Sequence, residues 1–127
     1  MNIPDDLSYT SEHLWVLTAD DGHWLTGITD YAQDLLGDIV YVQAPAVGMA
    51  LKAGTPCGLV ESVKTGSDLH APVDGVVVAI NEALQSNPEQ INDAPYQAWI
   101  FRLKPNNTAD IAALLDSASY QKLVTAG

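Results

Sequence analysis

Basic residues are scarce in this chain: five Lys plus Arg stand against 16 Asp plus Glu among 127 residues, a formal charge of −11. Binding to a phosphate backbone needs clustered cations, whereas these are spread from Lys52 to Lys122 among carboxylates, so no nucleic acid is expected as partner. The same charge argues against an anionic membrane surface, and no apolar run approaches the ~18 residues of a spanning helix, so no membrane is expected either. Cysteine is nearly absent, and the lone Cys57 excludes an internal disulfide framework. The segment Met1 to Leu7 has no basic n-region, apolar h-region or Arg-rich amphipathic pattern, so a cytoplasmic, reducing setting is expected. Closely spaced Cys and His for zinc, or an Asp-rich loop with Gly and a terminal Glu for calcium, are missing, so no metal is expected. Cys57, His13, His23 and His70 fall in no nucleophile and base motif, and no enzyme site is indicated. Cys57, in an apolar strand context, reads as an inert core residue.

What is there is a sizeable apolar fraction, 47% of the residues. A chain of this length buries roughly two thirds of the surface its unfolded form exposes. It should therefore fold as a single domain over 1–127, with a core over roughly 9–104 and a C-terminal helix over roughly 107–125. Leu14-Trp-Val-Leu17 and His23-Trp-Leu-Thr-Gly-Ile28 flank Ala19-Asp-Asp-Gly22, which predicts a β-hairpin. Thr29 as N-cap, Asp30 at the positive end, Leu35 and Leu36 at helical spacing and Gly37 as stop predict a short helix. Ile39 to Val42 reads as a buried strand.

Between Gly48 and Ile80, regular Gly and Pro punctuation predicts short strands: Thr55 to Val63, Leu69 to Val73 as its partner, and Val76 to Ile80 after an Asp74-Gly75 turn. Lys64-Thr-Gly-Ser67 then forms a hairpin tip, with Gly66 and Gly75 as turn formers. Gly37 to Val42 and Gly75 to Ile80 echo each other and suggest two matched halves. Asn81 to Pro95 reads as polar and turn-rich, and Trp99 to Leu103 as a strand stopped at Pro105. Asn107 as N-cap, with Ile111, Leu114, Leu115 and Ala118 at helical spacing, predicts the C-terminal helix. Trp15, Trp24 and Trp99 read as core or cleft wall. The fold class is mostly β with a short inner helix and a helical C-terminus.

Lys64 stands out, the only Lys between Lys52 and Lys104, centred in a predicted tip where a rigid turn would present its amine to a modifying enzyme. A lone exposed Lys is ordinarily just solvated. The run Val60-Glu-Ser-Val-Lys-Thr-Gly-Ser-Asp-Leu-His-Ala-Pro-Val-Asp-Gly75, however, resembles the lipoyl-lysine segment of the glycine cleavage system H proteins. The likeness extends through Ser11-Glu-His-Leu-Trp-Val16, Gly27-Ile-Thr-Asp-Tyr-Ala-Gln33, Leu36-Gly-Asp-Ile-Val-Tyr-Val42, Ala79-Ile-Asn-Glu-Ala-Leu84, Asn92-Asp-Ala-Pro-Tyr96 and Trp99.

That resemblance implies a barrel-sandwich hybrid with lipoate in amide linkage on Lys64. It implies a non-catalytic carrier that takes an aminomethyl group from a pyridoxal-phosphate glycine decarboxylase and presents it to a tetrahydrofolate-dependent aminomethyltransferase, a dihydrolipoyl dehydrogenase reoxidising the dithiol. It further implies recognition by a lipoate-attaching enzyme at Glu61, Ser62, Val63 and Gly75, although Glu61 could equally just point into solvent. Asp68 and Glu12 would contact the arm in a docking cleft. Leu14 stands where the family usually has Glu; either Glu12 or Asp68 covers the loss, or the arm is held poorly. The Tyr96 to Trp99 linker is shorter than usual and lacks Gly, which implies a tighter turn. A monomer suits a carrier that visits several enzymes. The alternatives are an H-like lipoyl carrier serving another pathway, such as lipoate relay, a biotin carrier, disfavoured because Val63 and Thr65 rather than Met flank Lys64, and an unmodified interaction domain.

Overall fold

The computed structural model describes residues 2–19 and 21–126. Among the described residues nine strands form two sheets. The larger has the order β1 (Ser8–Tyr9), β2 (Leu14–Thr18), β3 (Trp24–Ile28), β9 (Phe101–Pro105), β8 (Gly75–Ile80) and β5 (Ala50–Leu51). The smaller has the order β4 (Ile39–Gln43), β6 (Pro56–Ser62) and β7 (Gly66–His70). Every pairing is antiparallel. The fold is thus mostly β, and the described strands form two open sheets rather than a closed barrel. No described helix is long and apolar enough to cross a membrane.

The main core lies between the sheets: Leu14, Val16, Trp24, Ile28, Phe101 and Leu103 of the larger meet Ile39, Val42, Val60 and Leu69 of the smaller. Successive strand side chains point to opposite faces, so Trp15, Leu17 and Leu25 emerge on the other side of the larger sheet. There they join Tyr9, Tyr120 and Val124 in a second apolar cluster beneath the C-terminal helix α4 (Ser117–Ala126). The indole of Trp15 lies over Gly27, where a Cβ would stand 2.9 Å from the ring, and its Nε1–H donates to Pro95 O at 3.0 Å. The apolar run Leu14 to Leu17 is continuous because β2 is covered on both faces.

The predicted β2–β3 hairpin and its Asp-Gly turn form, with Gly22 at φ +81°; Asp20 of that turn lies outside the described residues. Helix α1 (Asp30–Leu36) is capped as expected: Thr29 Oγ1 accepts from Ala32 N–H, and Gly37 N–H donates to Gln33 O. The strand at Ile39 is only half buried, because a bulge between Ile39 and Tyr41 leaves Val40 and Tyr41 exposed.

The partner of β6 is Gly66–His70 rather than Leu69–Val73. The turn closes earlier, at Ser62 to Thr65, and Gly66 is a ladder residue opposite Glu61. Gly75 is no turn former either: it opens β8, where a Cβ would meet Lys104 O at 2.5 Å. Asn81 to Pro95 contains two single-turn helices, α2 (Ala83–Ser86) and α3 (Gln90–Asp93), anchored by buried Leu84 and Ile91. The strand predicted at Trp99 to Leu103 starts two residues later, at Phe101.

The single C-terminal helix expected over 107–125 is broken. Asn107 caps a 3-10 helix (Thr108–Ala113), Leu115 then exchanges backbone hydrogen bonds with Tyr9 at 2.8 Å, and Asp116 Oδ1 accepts from Ser119 N–H as α4 begins.

Burial holds three tyrosines of the second cluster protonated: it raises Tyr9 and Tyr96, and pushes Tyr120 up to about 12 against an opposing hydrogen bond from Thr29. An unfolded phenol ionises near about pH 10. Between these values the unfolded chain sheds protons that the fold retains, so stability is full below about pH 10 and lost as pH rises toward 12. The urea midpoint should fall above about pH 10, and less steeply in Tyr120→Phe; equal slopes would contradict this origin.

Candidate functional site

The β6–β7 turn is built by one side chain. Ser62 Oγ accepts from Lys64 N–H and Thr65 N–H, both at 3.1 Å, and donates to Thr65 O at 3.1 Å, while Ser62 N–H donates to Thr65 O at 2.7 Å. Val63 N–H donates to Asp38 O at 3.0 Å, which ties the turn to the loop between α1 and β4. That loop is held by Asn92, whose Nδ2 donates to Gln33 Oε1 and Gly37 O, both at 2.9 Å, and whose Oδ1 accepts from Ile39 N–H at 2.8 Å. Lys64 therefore sits on a fixed backbone with an exposed side chain. Its stem runs beside Gly37, where a Cβ would come within 3.1 Å of Lys64 Cε. Gly37 has φ +81° and ψ −155°, a conformation open essentially to glycine alone.

A groove of about 110 Å³ lies next to this turn, lined by Leu35 and Leu36 at the end of α1, by Ala32, Leu14, Ile28, Val60 and Leu69, and by His13, Glu12, Ser67 and Asp68. Its walls are aliphatic, and its carboxylates are Glu12 and Asp68. The two docking candidates, distant in sequence, thus meet on one groove, together with Leu14, the position where the family's Glu was expected. Leu14 is buried and offers no acceptor. Glu12 also approaches His70 Nδ1 at 3.8 Å, His70 lying two residues beyond Asp68 on the same face of β7.

Of the four recognition candidates, Ser62 builds the turn and Val63, 66% exposed, crowns it. Glu61 is exposed at the end of β6, opposite Gly66 and Tyr41. Gly75 stands apart, buried in the larger sheet beyond the far end of β7. Cys57 is half buried, and burial alone pushes its thiol up to about 11, which leaves it unreactive at neutral pH. Among the described residues no group of His, Cys, Asp and Glu is arranged to hold a metal.

A family model described as Glycine cleavage H-protein matches residues 7–127. The chain belongs to the glycine cleavage H-protein family. It is 65% identical over 124 residues to the glycine cleavage system H protein of Methylobacillus flagellatus, covering 98% of this chain and 99% of the relative. The corresponding protein of Nitrosospira multiformis is 57% identical, covering 98% and 96%. A crystal structure of a glycine cleavage system H protein from Mycobacterium marinum superimposes with a TM-score of 0.88 at 40% identity, covering 97% of this chain and 99% of that one. The resemblance drawn from the run around Lys64 therefore holds for the family across nearly the whole chain.

Within this H-protein frame, sequence reading missed Gly37, Asn92 and His13. The first was read only as a helix stop, and the second only as part of Asn92-Asp-Ala-Pro-Tyr96. Removing the Ser62 hydroxyl should loosen the turn selectively. In Ser62→Ala, hydrogen exchange of the Lys64 and Thr65 amides should quicken about fivefold, the loss of roughly one neutral hydrogen bond, while core amides stay unchanged. Unaltered exchange at both amides would show that the backbone alone holds the turn.

Proposed function

We propose that this chain is the lipoyl carrier of the glycine cleavage system, with Lys64 as the acceptor of lipoate. The observation that carries the proposal is the juxtaposition of an exposed Lys on a hydrogen-bonded turn with an aliphatic groove rimmed by two carboxylates. Lipoate supplies a disulfide on a long flexible chain, and the residues present suit such a group. The Cβ-free edge at Gly37 leaves room for the lysine stem, and Leu35, Leu36, Ala32, Leu14 and Ile28 offer an apolar wall that excludes water.

Asp68 and Glu12 are the acceptors for a cargo ammonium, a role Leu14 has no atom to perform. Amide formation at Lys64 turns an ammonium into a neutral group and takes the formal charge from −11 to −12. Glu61, Ser62, Val63 and Gly75 are assigned to recognition by the lipoate-attaching enzyme, Glu61 and Val63 as exposed contacts and Ser62 through the turn it builds. Gly75 acts only through the backbone packing of β8.

The chain acts as a carrier subunit without catalysis of its own. Its partners are the pyridoxal-phosphate glycine decarboxylase, the tetrahydrofolate-dependent aminomethyltransferase and dihydrolipoyl dehydrogenase. A single domain over 1–127, monomeric and cytoplasmic, fits that duty, since tethering the cargo raises its effective concentration at each active site in turn. Lipoate relay to other proteins is not favoured, because the relatives described above all carry the glycine cleavage name.

Incubation with a lipoate ligase, ATP and lipoate should add one lipoyl increment to the intact mass, mapped to Lys64 and absent from Lys64→Arg, the acid being activated as its adenylate and AMP leaving as the amide forms. An unmodified wild type, under conditions that modify a known acceptor, would overturn the carrier reading. In the modified protein, Asp68→Asn should shorten the half-life of the amine cargo in water, and an unchanged half-life would remove Asp68 from the groove's function.

A further inference from the structure

Among the described residues, His13 is the one non-glycine residue with positive φ, at +69°. It closes the loop Ser11-Glu12-His13 between β1 and β2, where a three-residue hairpin loop ordinarily places Gly in the left-handed position. An imidazole held there needs a reason in its contacts. The contact is Tyr120: His13 Nδ1 lies 2.8 Å from the Tyr120 hydroxyl, which in turn lies 2.7 Å from Thr29 Oγ1. Thr29 Oγ1 is the cap that accepts from Ala32 N–H at 3.2 Å, and Thr29 N–H donates to His13 O at 3.0 Å. Tyr120 and Thr29 are fully buried, and the Tyr120 ring stacks on Tyr9 at 4.7 Å and 11°.

His13 belongs to one wall of the groove and Ala32, Leu35 and Leu36 of α1 to the other. We infer that Tyr120 is a positioning residue for the groove: its hydroxyl, delivered by the C-terminal helix, fixes both walls at once, so α4 governs how long cargo is retained without touching it. The inference rests on the reading that the groove receives the arm of Lys64. Its chemistry is consistent: burial keeps Tyr120 protonated and disfavours the charged form of His13, so the phenol hydroxyl bridges two neutral partners at neutral pH. The tip depends on none of these bonds, being closed by Ser62 and Asp38. Attachment and retention are therefore separable.

The test uses Tyr120→Phe and, as matched control, Tyr9→Phe, which loses a hydroxyl from the same stacked pair, one that bonds Pro4 O instead. Both are lipoylated, verified by intact mass, loaded by the glycine decarboxylase with glycine, and followed by release of ammonium into water. Unfolding midpoints and the imidazole nitrogen signals of His13 are recorded beside it. Tyr120→Phe should be lipoylated at the wild-type rate, shift the His13 signals and release cargo about thirtyfold faster, the factor expected for two lost neutral hydrogen bonds, one to each wall. Tyr9→Phe should retain cargo like the wild type even where its midpoint drops as far.

Wild-type retention in Tyr120→Phe, or faster release in both variants in proportion to lost stability, would overturn the inference. Should Tyr120→Phe fail to fold, His13→Gly, which takes the left-handed backbone freely and has no side chain to reach Tyr120, should also release cargo faster, by about fivefold for the one bond it loses, and wild-type retention there would overturn the inference equally. If the wild type itself releases cargo as fast as the urea-unfolded chain, the groove reading fails, and this inference with it.

Discussion

The burial of strand β2 on both faces is the constraint from which the rest follows. Leu14 and Val16 enter the core between the two sheets, while Trp15 and Leu17 enter the cluster under α4. A strand covered on one side alone would show alternating polarity and could be displaced with that layer; β2 is held from both. Truncating a fully buried Trp such as Trp15 costs about 3–5 kcal/mol, a large part of a domain's total stability of roughly 5–15. Because β2 begins at Leu14, the floor of the groove is fixed by the same packing that attaches the C-terminal helix.

The turn that carries Lys64 and the groove beside it use different physics. The turn at Lys64 is polar and local, held by a hydroxyl, a handful of backbone bonds and a tie to Asp38. Each such bond is worth only about 0.5–1.5 kcal/mol, yet together they suffice because the turn must keep only its own shape. The groove is apolar and composite, assembled from the β1–β2 loop, α1, β6 and β7. The carboxylates of Glu12 and Asp68 are exposed at its rim, so their pull on a cation is screened by water and salt and the aliphatic walls supply the rest of the hold.

Much of this was legible in the residues themselves. Asp21-Gly22 gave the hairpin, and Thr29 with Gly37 bounded α1, because turns and caps are local chemistry that a few residues decide. What depended on distant partners was not. The break before α4 arises from a ladder bond between Leu115 and Tyr9, which helical spacing cannot announce. The β6–β7 turn was misplaced because Gly66 looked like punctuation, whereas the side chain of Ser62 closes the chain earlier. Single-turn helices such as α2 and α3 are shorter than the period by which a helix is recognised. As for the site, composition alone left Lys64 an ordinary solvated lysine, and its meaning came through the resemblance of the surrounding run. Glu12 and Asp68 were named separately, but only the register of β7 against β6 and the tight β1–β2 loop bring them to one groove.

The β1–β2 loop concentrates the cost of that arrangement. It has room for only Ser11, Glu12 and His13 between Thr10 and Leu14, whose backbone groups bond directly, and one of the three must therefore turn left-handed. A glycine would do so without strain but would leave Tyr120 and Thr29 without their third partner. His13 accepts the strained backbone and returns a hydrogen bond inside a buried cluster, where an unpaired hydroxyl is expensive. The same turn sets Glu12 facing both the groove and His70. Loop length, backbone handedness and the aromatic stack of Tyr9 on Tyr120 are thus one coupled choice, and the rim of the groove is where that choice becomes visible.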